Sequence, residues 1–179
     1  MCVARFLSDG TLDATFAQGG IAFVDGGLIE VANGLQLQSD GKIVLGGYRS
    51  AGSNAGDPSQ DLFFARLNVN GILDASYGTG GIATFDLSGA GDSVAAISIQ
   101  ADGKVVGVGV TGQSSTNVGT SLVVRLTADN GGHQNSPSLL AFGTIRLCPR
   151  SFPFVFGRWA KEKGALNAKT PGRRDAKNK

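Results

Sequence analysis

The chain contains two near-copies of one stretch: Gly71-Ile72-Leu73-Asp74-Ala75-Ser76-Tyr77-Gly78-Thr79-Gly80-Gly81-Ile82-Ala83 and, 61 positions before it, Gly10-Thr11-Leu12-Asp13-Ala14-Thr15-Phe16-Ala17-Gln18-Gly19-Gly20-Ile21-Ala22. The flanking segments repeat as well. Gln38-Ser39-Asp40-Gly41-Lys42 returns after 62 residues as Gln100-Ala101-Asp102-Gly103-Lys104, and Arg5, Arg66 and Arg125 recur at spacings of 61 and 59. The sequence is therefore a tandem repeat with a period of about 60 residues.

Each period has the pattern of short β-strands. Apolar and polar residues alternate in Leu35-Gln36-Leu37-Gln38 and in its counterpart Ile97-Ser98-Ile99-Gln100, which places two apolar side chains on one face of a strand. An Asp-Gly pair suited to a tight hairpin follows each alternation. It leads into an unbroken apolar strand, residues 43–48 or 105–110, which we expect to be covered on both faces.

Two further strands complete each period. A loop rich in Gly, Ser and Asn, residues 50–60 or 112–120, precedes a strand that carries the repeated arginine, and a fourth strand follows the Gly-Gly pair. Four consecutive antiparallel strands that repeat, with middle strands apolar on both sides, are typical of stacked propeller blades. We predict an all-β protein with about two four-stranded antiparallel blades. A ring closes with ~4–8 blades, so this is an incomplete β-propeller.

A longer motif carries a resemblance to a known family. The chain reads Arg-Leu-Asn-x-x-Gly-x-Leu-Asp-x-Ser-Tyr-Gly-x-Gly-Gly over residues 66–81 and Gln-x-Asp-Gly-Lys-Val-Val over residues 100–106. Over residues 2–129 it resembles the bacterial delta-60 repeat family. The resemblance implies a propeller-like fold, found in tandem arrays of large and often secreted or surface proteins, with no established general activity. The chain itself shows no export signal, so the resemblance leaves its localisation open.

The charge balance changes where the third copy of the motif departs from the pattern. Residues 1–130 hold 6 Lys and Arg against 12 Asp and Glu, a net charge of −6, and residues 131–179 hold 10 against 2, a net charge of +8. We therefore expect a propeller segment at residues 2–129 and a divergent basic tail at residues 130–179, either poorly ordered or the product of a shifted reading frame. We also expect the chain to be a fragment of a larger repeat protein.

The repeated charged residues suggest chemistry at first sight. Asp13 and Asp74 could form a pair of catalytic carboxylates, but such pairs lie ~5–10 Å apart, whereas equivalent positions in successive blades are separated by the blade spacing. We expect each aspartate to brace its own turn through nearby backbone N–H groups. The repeated Arg5, Arg66 and Arg125 are expected to form structural ion pairs with the aspartates of the motif, and anion binding is the alternative.

Other polar residues give weaker indications of a site. Asp57, Asp61 and Asp92 lie in loops rich in Gly, Asn and Ser and could offer oxygen ligands to calcium, but the spacing of an EF-hand is absent. His133 is the single histidine, and no nucleophile or second imidazole accompanies it in a recognisable motif. We predict no catalytic, cofactor-binding or metal-binding residue and no cofactor.

The sequence predicts a structural or interaction segment, used for scaffolding or adhesion, rather than an enzyme. Its expected partners are further propeller blades or another protein at open sheet edges, and the loop at residues 50–60 is a candidate contact. Two alternatives remain: a propeller-based hydrolase or lyase, and nucleic-acid binding through basic residues of the tail such as Arg173 and Arg174, for which a solvated tail is the favoured interpretation. No apolar run reaches the ~18 residues of a membrane span.

Overall fold

Ten β-strands account for the regular structure of the described residues. A computed structural model describes residues 1–52, 57–87, 89–114, 117–126 and 139–145, and none of these residues is helical. The strands are β1 (Cys2–Ala4), β2 (Ile21–Phe23), β3 (Ile29–Leu37), β4 (Ile43–Ser50), β5 (Asp61–Leu67), β6 (Ile82–Phe85), β7 (Gly91–Ile99), β8 (Val105–Ser114), β9 (Asn117–Leu126) and β10 (Leu139–Ile145).

The strands form three antiparallel sheets in which each strand pairs with the next one along the chain. Strands β3 to β6 form one four-stranded sheet, called blade 1 below, and β7 to β10 form a second, called blade 2. Strands β1 and β2 form a two-stranded sheet, the half-blade. This arrangement confirms the prediction of an all-β chain with two four-stranded antiparallel blades.

The half-blade corresponds to the last two strands of a blade. Arg5 directly follows β1, Arg66 lies in β5, and β2 and β6 each follow a Gly-Gly pair, so β1 is equivalent to β5 and β2 to β6. We call the first two strands of a blade its inner pair and the last two its outer pair. The first strands of the two blades are directly linked, because the Asn33 side chain donates a 2.7 Å hydrogen bond to the carbonyl of Val94.

Two apolar clusters lie between successive sheets. Strand β5 contributes to both, because alternate side chains of a strand point to opposite faces. Phe63 and Leu67 pack with Val3 and other residues of the half-blade. Phe64 packs on the other side with Val94 and other residues of blade 2. The apolar middle strands of blade 1 are therefore covered on both faces, as the sequence predicted.

The alternating strands β3 and β7 are buried to different extents. Ile97 in β7 is only 8% exposed, and Ile99 is partly buried against the same cluster. Their equivalents in β3, Leu35 and Leu37, are 47% and 64% exposed. The difference follows from the neighbouring sheet: blade 1 covers the β7 face, whereas the described part of the chain supplies only an outer pair, β1 and β2, on the β3 side.

The second sheet extends past the predicted end of the propeller segment. Strand β10 lies at Leu139–Ile145, inside the segment 130–179 assigned to the basic tail, and it pairs with β9 from Leu139 opposite Leu126 to Ile145 opposite Ser121. The boundary at residue 129 therefore does not coincide with the end of blade 2. Residues 127–138 and 146–179 lie outside the described residues, so the expectation of poor order is not tested there.

Glycines allow close approaches within and between the blades. Strands β3 and β7 carry a bulge at equivalent places, and a Cβ on the opposing Gly47 or Gly109 would lie only 1.8 or 1.9 Å from a backbone oxygen of the bulged strand. Gly46, the neighbour of Gly47, faces blade 2. A Cβ there would lie 2.5 Å from Cγ2 of Ile97, so the missing side chain makes room for the next blade.

We expect the Gly46→Ala substitution to lower the free energy of unfolding by about 1–2 kcal/mol, because an added methyl group overpacks a filled interface. Urea denaturation of the purified protein measures the change. In an Ile97→Leu background the penalty should shrink, since leucine lacks the Cγ2 methyl group that meets position 46. Equal penalties in the two backgrounds would show that this contact is not the cause.

Candidate functional site

The repeated motif closes a charged turn in blade 1. Nε of Arg66 donates to Oδ2 of Asp74 at 2.9 Å, and the side chains of the two residues are only 10% and 8% exposed. Oδ1 of Asp74 accepts hydrogen bonds from the backbone N–H and the hydroxyl of Ser76, at 3.1 and 2.6 Å. The guanidinium carbon of Arg66 lies 4.6 Å from the centre of the Tyr77 ring, which adds a cation–π contact.

The half-blade holds the same arrangement. Nε of Arg5 donates to Oδ2 of Asp13 at 2.8 Å, and Oδ1 accepts from the backbone and hydroxyl of Thr15 at 3.0 and 2.5 Å. The Arg5 guanidinium again lies 4.6 Å from an aromatic ring, that of Phe16. We call these two units the Arg–Asp turns. They confirm the predictions that Asp13 and Asp74 brace their own turns and that Arg5 and Arg66 form ion pairs within their motifs.

Lys42 is a partner of Asp74 that sequence reasoning missed. Its Nζ lies 2.9 Å from Oδ2 of Asp74, so one carboxylate contacts two cations. Lys42 belongs to the Asp-Gly-Lys hairpin at the start of β4, 32 positions before Asp74. The available signal was the regular return of this lysine in every period, but the contact arises only when the hairpin and the turn meet at one end of the blade.

These contacts fix the charge of Asp74. Burial opposes ionisation, but hydrogen bonds from Ser76 and Lys42 and the charge of Arg66 outweigh it and hold the pKa of Asp74 well below its usual value. Hydrogen bonds from Thr15, with the help of Arg5, likewise lower the pKa of Asp13. A general acid or base works best with a pKa near the operating pH, so both carboxylates suit a structural role better than proton transfer.

The Arg–Asp turn of the half-blade also contacts the next repeat. Nη1 of Arg5 donates to the carbonyl of Val69 at 2.6 Å, and the backbone N–H of Ala17 donates to the carbonyl of Asn70 at 2.8 Å. The Arg–Asp turn of the half-blade therefore joins its strand, its own turn and the turn after β5 of blade 1. Arg125 lies in β9, and the residues that would form its turn lie outside the described residues.

An acidic residue is buried at the start of the first strand of each blade. This second repeated feature was not predicted from the sequence. Asp92 in β7 is fully buried, and its carboxylate accepts from the Leu87 N–H at 2.7 Å and the Thr111 hydroxyl at 2.5 Å. Glu30, 62 positions before Asp92, accepts from the N–H groups of Gly26 and Leu28, both at 3.1 Å. Both acids thus hold the loop that precedes their strand.

The structure does not gather the calcium candidates into one site. Asp57 accepts from the Ser59 N–H at 2.8 Å, Asp61 lies 3.4 Å from Nε of Arg49, and Asp92 is engaged as described above. Within the described ranges, no group of three or more His, Cys, Asp or Glu side chains could hold a metal ion. His133 and the basic residues of the tail lie outside these ranges.

A groove of about 560 Å³ lies beside β6, where the loop after β2 approaches blade 1. Its charged lining residues are Asp25 and Arg49, and the rest of the lining consists of glycine, threonine and apolar residues. Asp25 is the one carboxylate among the described residues of this lining, and Arg49 pairs with Asp61. No specific activity follows from the described residues.

The repeats and stacked sheets define the chain as a propeller-like repeat protein. Three segments, residues 1–16, 38–77 and 100–131, match the family model described as domain of unknown function (DUF5122) beta-propeller. The matched segments contain both Arg–Asp turns and the Asp-Gly-Lys hairpins. No curated protein sequence matches the chain. The part of the chain that the structure describes contains no helix long and apolar enough to cross a membrane.

We expect Asp74→Asn to lower the free energy of unfolding at neutral pH by about 2 kcal/mol, because Arg66 and Lys42 lose their shared carboxylate. The folded-state pKa of Asp74 is depressed, so its contribution is fully present above the unfolded value of about 4 and is lost as pH falls further. The stabilities of wild type and variant, measured by urea denaturation, should therefore converge below about pH 4.

Asp13→Asn is the matched control, because Arg5 is 37% exposed and solvent weakens its ion pair. Its effect should be smaller than that of Asp74→Asn. A pH-independent difference between wild type and Asp74→Asn would contradict the electrostatic explanation.

Proposed function

We propose that this protein is a non-catalytic module of propeller repeats, of the delta-60 kind, that works by associating with further blades or with another protein. One observation carries the proposal. Leu35 and Leu37 of β3 are 47% and 64% exposed. On the equivalent face of blade 2, Ile97 is buried against blade 1. A blade face that remains apolar and open is suited to binding another sheet.

The use of the repeated charged residues supports a non-enzymatic role. Arg5 and Arg66 are engaged by their own turns, and the pKa values of Asp13 and Asp74 are lowered away from the range of a general acid or base. The charged groups that recur most regularly therefore serve the architecture. The proposed contact surfaces are the open sheet faces and edges, and the loop at residues 50–60 is a further candidate.

Sedimentation velocity over a wide range of protein concentrations tests this proposal. We expect the protein to self-associate through its open faces, so that its mean sedimentation coefficient rises with concentration. The Leu35→Ser/Leu37→Ser double variant should associate more weakly, because it removes two apolar side chains from the exposed face of β3.

The Val69→Ser/Ile72→Ser double variant is the control, since these side chains are 51% and 60% exposed on the turn after β5 rather than on β3. Circular dichroism confirms that each variant is folded. A wild-type protein that is monomeric at every concentration, or an equal effect of both double variants, would count against the proposal.

A further inference from the structure

The open side of the half-blade forms a groove of defined shape. The groove has a volume of about 320 Å³ and is lined by Cys2, Val3 and Ala4 of β1, by Ala32, Asn33, Gly34 and Leu35 of β3 and by Leu45 of β4. We call it the inner groove. One wall is the edge of a strand, and the opposite wall is the exposed face of blade 1 that carries Leu35.

The edge of β1 offers backbone hydrogen-bonding groups to this groove. Met1 and Val24 exchange hydrogen bonds of 2.8 and 2.9 Å, and the Arg5 N–H donates to Gly20 at 3.0 Å. Bonded residues alternate along an antiparallel strand, so the backbone groups of Cys2 and Ala4 point to the other edge of β1. None of the described strands pairs with that edge. An unpaired edge of this kind is a template for strand addition.

The other side of blade 1 indicates what fits the inner groove. There, the inner pair of blade 2, β7 and β8, covers the inner half of blade 1, while β9 continues the same sheet outwards. The half-blade is equivalent to an outer pair alone. The inner groove therefore occupies the place that an inner pair would take. The second strand of that pair would lie beside β1, and its first strand would lie over Leu35.

We propose that the inner groove binds an antiparallel β-hairpin with the character of a blade's inner pair, which pairs with β1 and packs its aliphatic side chains on Leu35 and Leu37. The recognised chemistry is an Asp-Gly turn between two strands with alternating apolar residues. This inference rests on the proposed function and deepens it, because it names the surface, the edge and the kind of partner. The hairpin would complete the half-blade as a four-stranded sheet.

The chain contains a suitable probe for this groove. The hairpin of residues 29–50 consists of β3, its Asp-Gly turn and β4. It contains Gly46, whose missing side chain makes room for Ile97 of β7. In the inner groove, Leu35 stands at the position equivalent to Ile97. A synthetic peptide of residues 29–50 with a fluorescent label can therefore present both the backbone and the apolar face that the groove requires.

Fluorescence anisotropy with the full-length protein and this peptide tests the proposal. We expect saturable binding of the peptide by the wild-type protein. The Leu35→Ser/Leu37→Ser protein should bind the peptide with an affinity at least about tenfold lower, because the burial of two leucines is lost. Val108→Ser is the matched control. Val108 lies in β8, is 45% exposed, and is on the face of blade 2 that points away from blade 1. Its affinity should stay within about twofold of wild type.

A second variant tests the strand edge separately from the apolar face. Ala4→Pro removes an N–H that points to the open edge, so β1 and β2 should remain paired while peptide binding weakens. Hydrogen exchange followed by NMR gives a direct readout, because the amides of Cys2 and Ala4 should exchange more slowly when the peptide is bound.

Three results would overturn the hairpin proposal: no saturable binding, binding without protection of the Cys2 and Ala4 amides, or an equal loss of affinity in Val108→Ser. If the protein self-associates through Leu35 and Leu37 but does not bind the peptide, the hairpin proposal fails and the proposed function stands. If the protein neither self-associates nor binds the peptide, both fail.

Discussion

Successive sheets of this protein pack face to face, and each sheet buries its apolar side chains against its neighbour. Strand β5 sends Phe63 into the cluster shared with the half-blade and Phe64 into the cluster shared with blade 2, so neither face of blade 1 is complete alone. A sheet that is apolar on both sides is stable only between two neighbours. The repeat of about 60 residues is the sequence counterpart of this stacking.

Polar contacts hold the turns and loops of the stacked sheets. The Arg–Asp turns tie the third strand of each unit to its turn, and Arg5 reaches onward to the carbonyl of Val69 in the next blade. Lys42 adds a contact between the hairpin at the start of β4 and Asp74. Glu30 and Asp92 hold the loops that enter each blade. Charged side chains that could suggest a reaction centre are thus part of the propeller architecture.

Contacts within one motif were predictable from the sequence, whereas contacts between distant segments were not. The ion pair between Arg66 and Asp74 spans eight positions of one motif, and its recurrence between Arg5 and Asp13 made it predictable. The contact between Lys42 and Asp74 spans half a period and depends on how two turns meet in space. Strand β10 was missed because the chain there no longer follows the repeat, and its place is set by pairing with β9.

The period, the all-β class, the strand alternation and the motif that closes each turn can all be predicted from the amino-acid sequence, because they follow from local spacing and turn chemistry. The tertiary structure alone decided which equivalent faces are buried. Leu35 and Ile97 have the same place in the pattern, yet one is exposed and the other lies against blade 1. The reason is that a side chain on a sheet face is buried only when a second sheet packs on that face. The pattern of one strand does not specify which sheet will cover it.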